Sequence, residues 1–442
     1  MADRSFLASL KKHPMVKTLL ELEGNPRICV MIEPLWGIPY NLYSPFATLY
    51  MYNLGVSDEQ IGLLLTIGMI LQVFSSLIGG VCADKWGRRL TTVVFDTLSW
   101  SIPCLIWAFS QNFWWFLAAT ILNALWKVTD NSWTCLLVED CDPKKLTDVY
   151  AWISITGLLA VFFAPISTGL VAKYSLMPVM RGLYLFSFLF MTIKFYWLYF
   201  GGTETARGRQ RMVETKDTSY FIMFKEYAPL FIKMLRTDTM VLALTIMTVT
   251  NITSTISGTF FALYVVQDLG IPEAFITIFP MARAAVMLLF MFIWQPKINR
   301  LPFKPPLIIG MLLFIIGQLL LIFAPSGANG ALSMTWLFLI IYVLCDACAN
   351  AFFSPHMNTL TNLCLDSHDR ARTWSLMQVT MIGLCSPFGY IGGLLSAQNR
   401  ALPFVFCVLL YIGLLVLILT SKLVKRIYHE RMTEVSEEIE AE

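Results

Sequence analysis

The sequence is poor in charge and almost devoid of histidine. Lys, Arg, Asp and Glu together make up 14% of its 442 residues. The four histidines, His13, His356, His368 and His429, are dispersed, so no imidazole cluster for metal binding or proton relay is in sight. No G-x-x-x-x-G-K-[ST] phosphate loop occurs, which argues against an ATP-driven pump. Neither G-x-S-x-G nor H-E-x-x-H is present, so an enzyme has no catalytic cluster to point to, and no cofactor or metal is expected. The N-terminus lacks a long apolar core with a small-residue cleavage site and does not read as a signal peptide. Ten cysteines are scattered mostly within spans, without extracellular-looking paired spacing, so no disulfide framework is expected. Cys345 and Cys348 form a C-x-x-C inside an apolar run without nearby histidines and are read as packing residues.

What the chain has in quantity is apolar length. It is 57% hydrophobic, with a mean hydropathy of +0.65, far too apolar for a soluble protein of this size. Segments long enough to cross a bilayer recur throughout, at about 28–53, 59–82, 90–110, 113–137, 147–172, 179–200, 237–266, 272–294, 304–324, 332–354, 373–397 and 401–422. With both ends on the cytoplasmic side, 26 basic residues fall in inner segments. Only three, Lys173, Arg181 and Arg400, fall in outer loops. That asymmetry implies an N-in, C-in orientation. Lys127, Lys194 and Arg283 are left inside spans.

Between the second and third spans the chain reads G-V-C-A-D-K-W-G-R-R, Gly80–Arg89. Two glycines permit a tight inter-helix turn, and Lys85, Arg88 and Arg89 mark it as cytoplasmic. The stretch resembles the loop 2–3 signature of the major facilitator superfamily, G-x-x-x-D-[RK]-x-G-R-[RK]. Gly80, Asp84, Lys85, Gly87, Arg88 and Arg89 fill its defined positions. The resemblance implies an all-α membrane protein of twelve transmembrane helices in two pseudo-symmetric six-helix halves. It also implies that Asp84 caps the helix beginning near Arg372–Trp374 and helps close an inner gate. Arg88 and Arg89 are expected to pair with Asp96 or with the acidic run Glu139, Asp140 and Asp142.

The halves look alike. Leu49–Gly55, L-Y-M-Y-N-L-G, returns as Leu263–Gly270, L-Y-V-V-Q-D-L-G, about 215 residues on. Trp152 and Pro165 return as Trp374 and Pro387. The repeat of Gly80–Arg89 is degenerate, with Asn299, Arg300 and Lys304 opposite Asp84, Lys85 and Arg89. The expected organisation is an N-tail over 1–27, bundles over 28–200 and 237–422, a basic linker over 201–236, and a C-tail over 423–442. Tyr220, Phe224, Tyr227, Phe231 and Met234 recur in the linker at the spacing of an amphipathic interfacial helix.

Ionisable residues at membrane depth are costly and are functional candidates by default. Span 4 carries Asn123, Lys127, Asp130 and Thr134 on one helical stripe, with Lys127 and Asp130 spaced to neutralise each other. Span 1 places Glu33, Trp36 and Tyr40 along one side, with Asn41 adjacent, and its Pro34 and Pro39 favour bending. Span 7 offers Thr248, Asn251, Thr255 and Thr259, for a polar solute or for helix–helix hydrogen bonds. Arg283 lies in span 8, and Asp346 and Asn350 lie in span 10. Lys194, close to the inner end of span 6, is expected to snorkel. In the family, spans 1, 4, 7 and 10 line the central cavity, which selects Glu33, Lys127, Asp130 and Asp346 as substrate- or proton-binding residues. Ala164–Gly169, A-P-I-S-T-G, is similar to the family's antiporter motif but has lost glycines at Ala164 and Thr168, which weakens an efflux reading.

The expected function is alternating-access transport of a small polar or charged solute, coupled to protons, by a monomer in the plasma or inner membrane. Its partners would be substrate, protons and the lipid bilayer, with no nucleic acid. Efflux of amphipathic compounds and a non-transporting membrane sensor remain the alternatives.

Overall fold

Proline and backbone polarity decide where these apolar segments break. The computed structural model describes residue 19 and residues 21–142, 145–216, 227–293, 304–326, 332–363 and 370–421; among them all regular structure is helical. Among the described residues, ten helices are long and apolar enough to cross a membrane. The count differs from twelve at the first and fourth expected spans, which are built from shorter consecutive helices. The first is α1 (Gly24–Ile32), α2 (Pro34–Tyr43), a 3₁₀ turn over Ser44–Phe46, and α3 (Ala47–Asn53). Pro34 opens α2 and Pro45 sits in the turn, each removing a backbone donor where the helix would otherwise continue. The fourth is α6 (Phe113–Asn123) and α7 (Trp126–Val138), parted at Ala124 and Leu125 without proline or glycine. There the Val128 amide bonds back three residues to the Leu125 carbonyl at 2.9 Å, a local 3₁₀ tightening.

The other spans follow the sequence expectation closely. They include α4 (Asp58–Trp86), α5 (Arg88–Phe109) and the pair α8 (Leu146–Val161) and α9 (Ala164–Tyr174). After α10 (Leu176–Gly201), the linker folds into α11 (Ala206–Glu214) and α12 (Tyr227–Arg236). Tyr220 and Phe224 lie outside the described residues. Then come α13 (Asp238–Leu263), α14 (Ile278–Ile293), α15 (Lys304–Ile322), α16 (Leu332–Leu363), α17 (Arg370–Gln398) and α18 (Leu402–Thr420). Asn299 and Arg300 also lie outside the described residues. Large side chains such as Trp114, Phe200 and Leu409 stand exposed on these helices, as lipid-facing positions require.

The chain folds as two compact units: Met1–Ser44 with Leu71–Met223, and Pro45–Ile70 with Phe224–Glu442. The first unit buries Phe116, Met180 and Phe195; the second buries Phe46, Tyr50, Phe260 and Phe404. The two copies of the L-Y-x repeat end alike. Gly55 and Gly270 adopt φ of +79° and +73°, a turn geometry that other residues enter only at a cost.

Candidate functional site

Between α4 and α5, Gly87 turns the chain at φ +85°, where a side chain would be strained. The amides of Arg88 and Arg89 then open α5, and both donate to the Glu204 carboxylate at 2.9 Å. This charged cap answers the orphan donors and the positive end of the helix. The Arg88 guanidinium is buried. It donates to Asp84 Oδ1 (2.9 Å), to the Ala83 carbonyl (2.8 Å) and to the Glu139 carboxylate (3.2–3.3 Å). Asp84 Oδ2 takes Arg211 of α11 at 2.8 Å, and the Asp84 carboxylate holds that guanidinium still more firmly in its charged form. Thr205 donates to Glu139 and caps α11 by accepting from the Gly208 amide.

Both Asp84 oxygens are engaged, one by Arg88 and one by Arg211. Arg88 does meet Glu139. Arg89 instead donates to the Tyr199 and Gly202 carbonyls at 3.3 and 3.0 Å, closing the C-terminal end of α10. Lys85 and Gly80 are half-buried. The close approach belongs to Gly79, where an added Cβ would stand 2.9 Å from the Val128 carbonyl oxygen. Glu204 and Arg211 were missed by sequence reasoning; the signal was the T-E-T-A-R-G-R-Q-R run, read only as a basic linker.

Deeper in the first unit, Glu33 lies at the α1–α2 break and pairs with Lys194 at 2.9 Å, both side chains largely buried. Lys194 is thus a buried partner and not a snorkelling residue, because a carboxylate meets it inside the bundle. Trp36 stacks on Tyr40 (centroids 4.9 Å apart) and meets Trp100 edge-on at 5.1 Å; Tyr40 meets Trp100 at 5.9 Å. Trp36 Nε1 is buried with no hydrogen-bond partner among the described residues. Asn41 turns back to the Gly37 carbonyl at 2.8 Å. Lys127 pairs with Asp130 at 2.8 Å and lies 4.1 Å above the Trp126 ring. Asp130 is half exposed.

Helix α5 is joined to α6 and α7 by a polar seam that sequence reasoning did not assemble. Thr92 meets Ser132 at 2.8 Å, Asp96 meets Thr129 at 2.7 Å, and Asn123 donates to the Ser99 carbonyl at 2.7 Å. Thr92, Asp96 and Ser99 are all buried and follow i, i+4, i+7 spacing, a stripe visible in the sequence. Around Ser99, α5 widens into a π-turn over Thr97–Ser101, a departure frequent at functional sites.

In the second unit, Arg283 of α14 pairs with Asp346 of α16 at 3.0 Å, and Asn350 approaches Asp346 Oδ2 at 3.4 Å. Asn251 and Thr255 are half-buried on α13, while Thr248 is buried with its hydroxyl unpartnered among the described residues. At the far end of α4, Asp58 accepts from Ser396 (2.6 Å) and Arg400 (3.3 Å), and Arg400 also reaches Asp268 at 3.4 Å. Among the described residues no group of His, Cys, Asp and Glu is placed to hold a metal.

The family model described as Major Facilitator Superfamily matches residues 37–390 and 244–439. A multidrug resistance protein MdtG of Serratia proteamaculans (strain 568) is 30% identical over 152 residues, 33% of this chain and 36% of that protein. A multi-drug resistance efflux pump PmrA of Streptococcus pneumoniae serotype 4 is 25% identical over 160 residues, 35% of this chain and 40% of that protein. The chain therefore spans little more than a third of the length of the curated relatives it matches. Among solved structures, the nucleoside transporter NupG superposes with a TM-score of 0.66 at 14% identity, covering 90% of this chain and 97% of that one. A POT family transporter in complex with 5-aminolevulinic acid gives 0.67 at 15% identity, covering 89% and 95%. At such identities the likeness is one of fold.

Proposed function

Because the chain belongs to the major facilitator superfamily, we propose that it is a secondary active transporter that carries a small polar or charged solute across a membrane by alternating access, coupled to protons. The observation that carries this reading is an ion pair at membrane depth in each unit, Glu33–Lys194 in one and Arg283–Asp346 in the other. Charges there are expensive, and pairs that can open offer a solute or a proton a place to bind. On this reading the moving bodies are the halves 28–200 and 237–422, the chain works as a monomer, and both termini lie in the cytoplasm.

Purified protein is tested for thermal stabilisation by sugars, organic acids, amino acids, nucleosides and lipophilic cations, since a ligand of the native state raises apparent stability by mass action. The stabilising class is then followed into proteoliposomes under an imposed pH gradient. Gradient-driven movement that is lost in Arg283→Gln supports the proposal. Movement indifferent to the gradient removes the proton, and the absence of any carried class removes transport.

A second reading, efflux of amphipathic compounds, is favoured by the Trp36–Tyr40–Trp100 cluster with Trp126 beside it. The names of the MdtG and PmrA relatives point the same way. Stabilisation by lipophilic cations alone would select it.

A further inference from the structure

Asp96 is a carboxylate at membrane depth that the ion pairs above leave out. It lies on α5 among α7 and α10, 6% exposed. Among the described residues it forms no ion pair, and its bonded neighbour is the Thr129 hydroxyl at 2.7 Å. The charges that act on it are Lys194 and Glu33, which are paired with each other, and Asp130, which is paired with Lys127. With Asp96 ionised, the cluster of Glu33, Lys194 and Asp96 carries one uncompensated negative charge; with Asp96 protonated it is neutral.

Thr129 shows how the seam serves both states. Its hydroxyl stands 2.7 Å from Asp96 Oδ1 and 2.8 Å from the Trp126 carbonyl, yet it has one hydrogen to give. When Asp96 is ionised, Thr129 donates to the carboxylate. When Asp96 is protonated, its O–H donates to Thr129 and Thr129 turns to the Trp126 carbonyl, so every donor has a partner. The Trp126 carbonyl belongs to the first turn of α7, directly after the helix break, and the adjoining turn on α5 is the π-turn. Both backbones are irregular at the level where this exchange takes place.

We propose that Asp96 is the proton-binding residue of the transport cycle, with Thr129 and the Trp126 carbonyl forming the hydrogen-bond switch that accepts its two protonation states. The proton comes from water and returns to water, and only the carboxyl O–H bond forms and breaks. This rests on the proton-coupled reading above, and names the residue that reading left open.

The test is pH-induced infrared difference spectroscopy of the full chain in lipid nanodiscs, with ¹³C-labelled aspartate. A protonated-carboxyl C=O band appears as the pH falls. It is absent in Asp96→Asn, retained in Asp130→Asn and Asp346→Asn, and moved in frequency in Thr129→Val. A band that survives Asp96→Asn overturns the assignment while leaving proton coupling in place. A wild-type chain with no titrating aspartate band also overturns it. Should Asp96→Asn fail to fold, Thr129→Val decides, since an unmoved band there cannot belong to Asp96. Failure of the proton-coupled reading itself is seen separately, as transport in wild-type proteoliposomes that ignores the pH gradient.

Discussion

Glu33 occupies the break between α1 and α2, and its carboxylate meets Lys194 at 2.9 Å with both side chains largely out of contact with solvent. Two opposed terms set the value of such a pair. Removing both charges from water costs several kcal/mol per ion, and their attraction returns much of it, so the pair is near neutral against an apolar replacement. Removing one partner is different, because the other is left buried and uncompensated, at about 3–5 kcal/mol. Lys194→Met is therefore expected to lower the apparent melting temperature of the detergent-purified protein sharply. Glu33→Leu combined with Lys194→Met restores it toward wild type. A double variant as unstable as the single would mean that Lys194 acts through its packing over Trp36 and Phe195, which it approaches at 5.7 and 5.9 Å. Transport separates the roles: the stable double variant remains inactive if the pair takes part in binding, and active if it only holds α1 and α10 together.

Helix contacts in this chain turn on where glycine lets backbones touch. At Gly62 on α4 an added Cβ would stand 2.6 Å from the Gly389 carbonyl oxygen, and at Gly393 on α17 it would stand 2.7 Å from that of Asp58. Gly389 and Gly393 form a G-x-x-x-G, the small-residue spacing that lets membrane helices approach closely. Thr66 fixes the register, donating to the Ser386 carbonyl at 2.7 Å and accepting from the Tyr390 amide at 2.8 Å. Because the obstructing atoms are backbone, Gly393→Ala has no side-chain rotation to relieve it. Spin labels at Ser57 and Asn399 are expected to report a longer separation in Gly393→Ala than in the parent chain. An unchanged separation would show that the helices slide past the extra methyl. The same logic explains what could be read in advance. Gly87 was legible because a short basic turn between two spans demands a residue free to take positive φ. Gly79, Gly62 and Gly393 were not, because a glycine within an apolar run looks the same whether it faces lipid or a neighbouring backbone. Glu204 was hidden for a related reason. A helix cap supplied from over a hundred residues away leaves no spacing to find, whereas the local Lys127–Asp130 pair could be read from i, i+3 alone.

Over the whole molecule, length and hydropathy made the helices legible, and the motif at Gly80–Arg89 made the family legible. Neither told which ionisable groups meet, since Glu33 with Lys194 and Arg283 with Asp346 join helices far apart in the chain. The property of the whole chain that sequence addresses most directly is its orientation, because the distribution of 26 inner and three outer basic residues acts during insertion, before any tertiary contact forms. The loops expected on the inner side also carry the Asp84, Arg88, Glu139, Glu204 and Arg211 network, so the basic residues from which orientation is read are partly the same ones that tie α4, α5 and α11 together. Gln111, after α5, and Val213, on α11, are both exposed and should lie on opposite faces of the membrane. In intact cells, a membrane-impermeant maleimide should label Gln111→Cys above the parent chain's background, and should label Val213→Cys only after the membrane is permeabilised. The reverse pattern would place the Gly80–Arg89 loop on the outer face, and the charge asymmetry would then have to be overridden by the helices themselves. Equal labelling of both sites would mean dual insertion, which a 26-to-three bias is far too strong to allow.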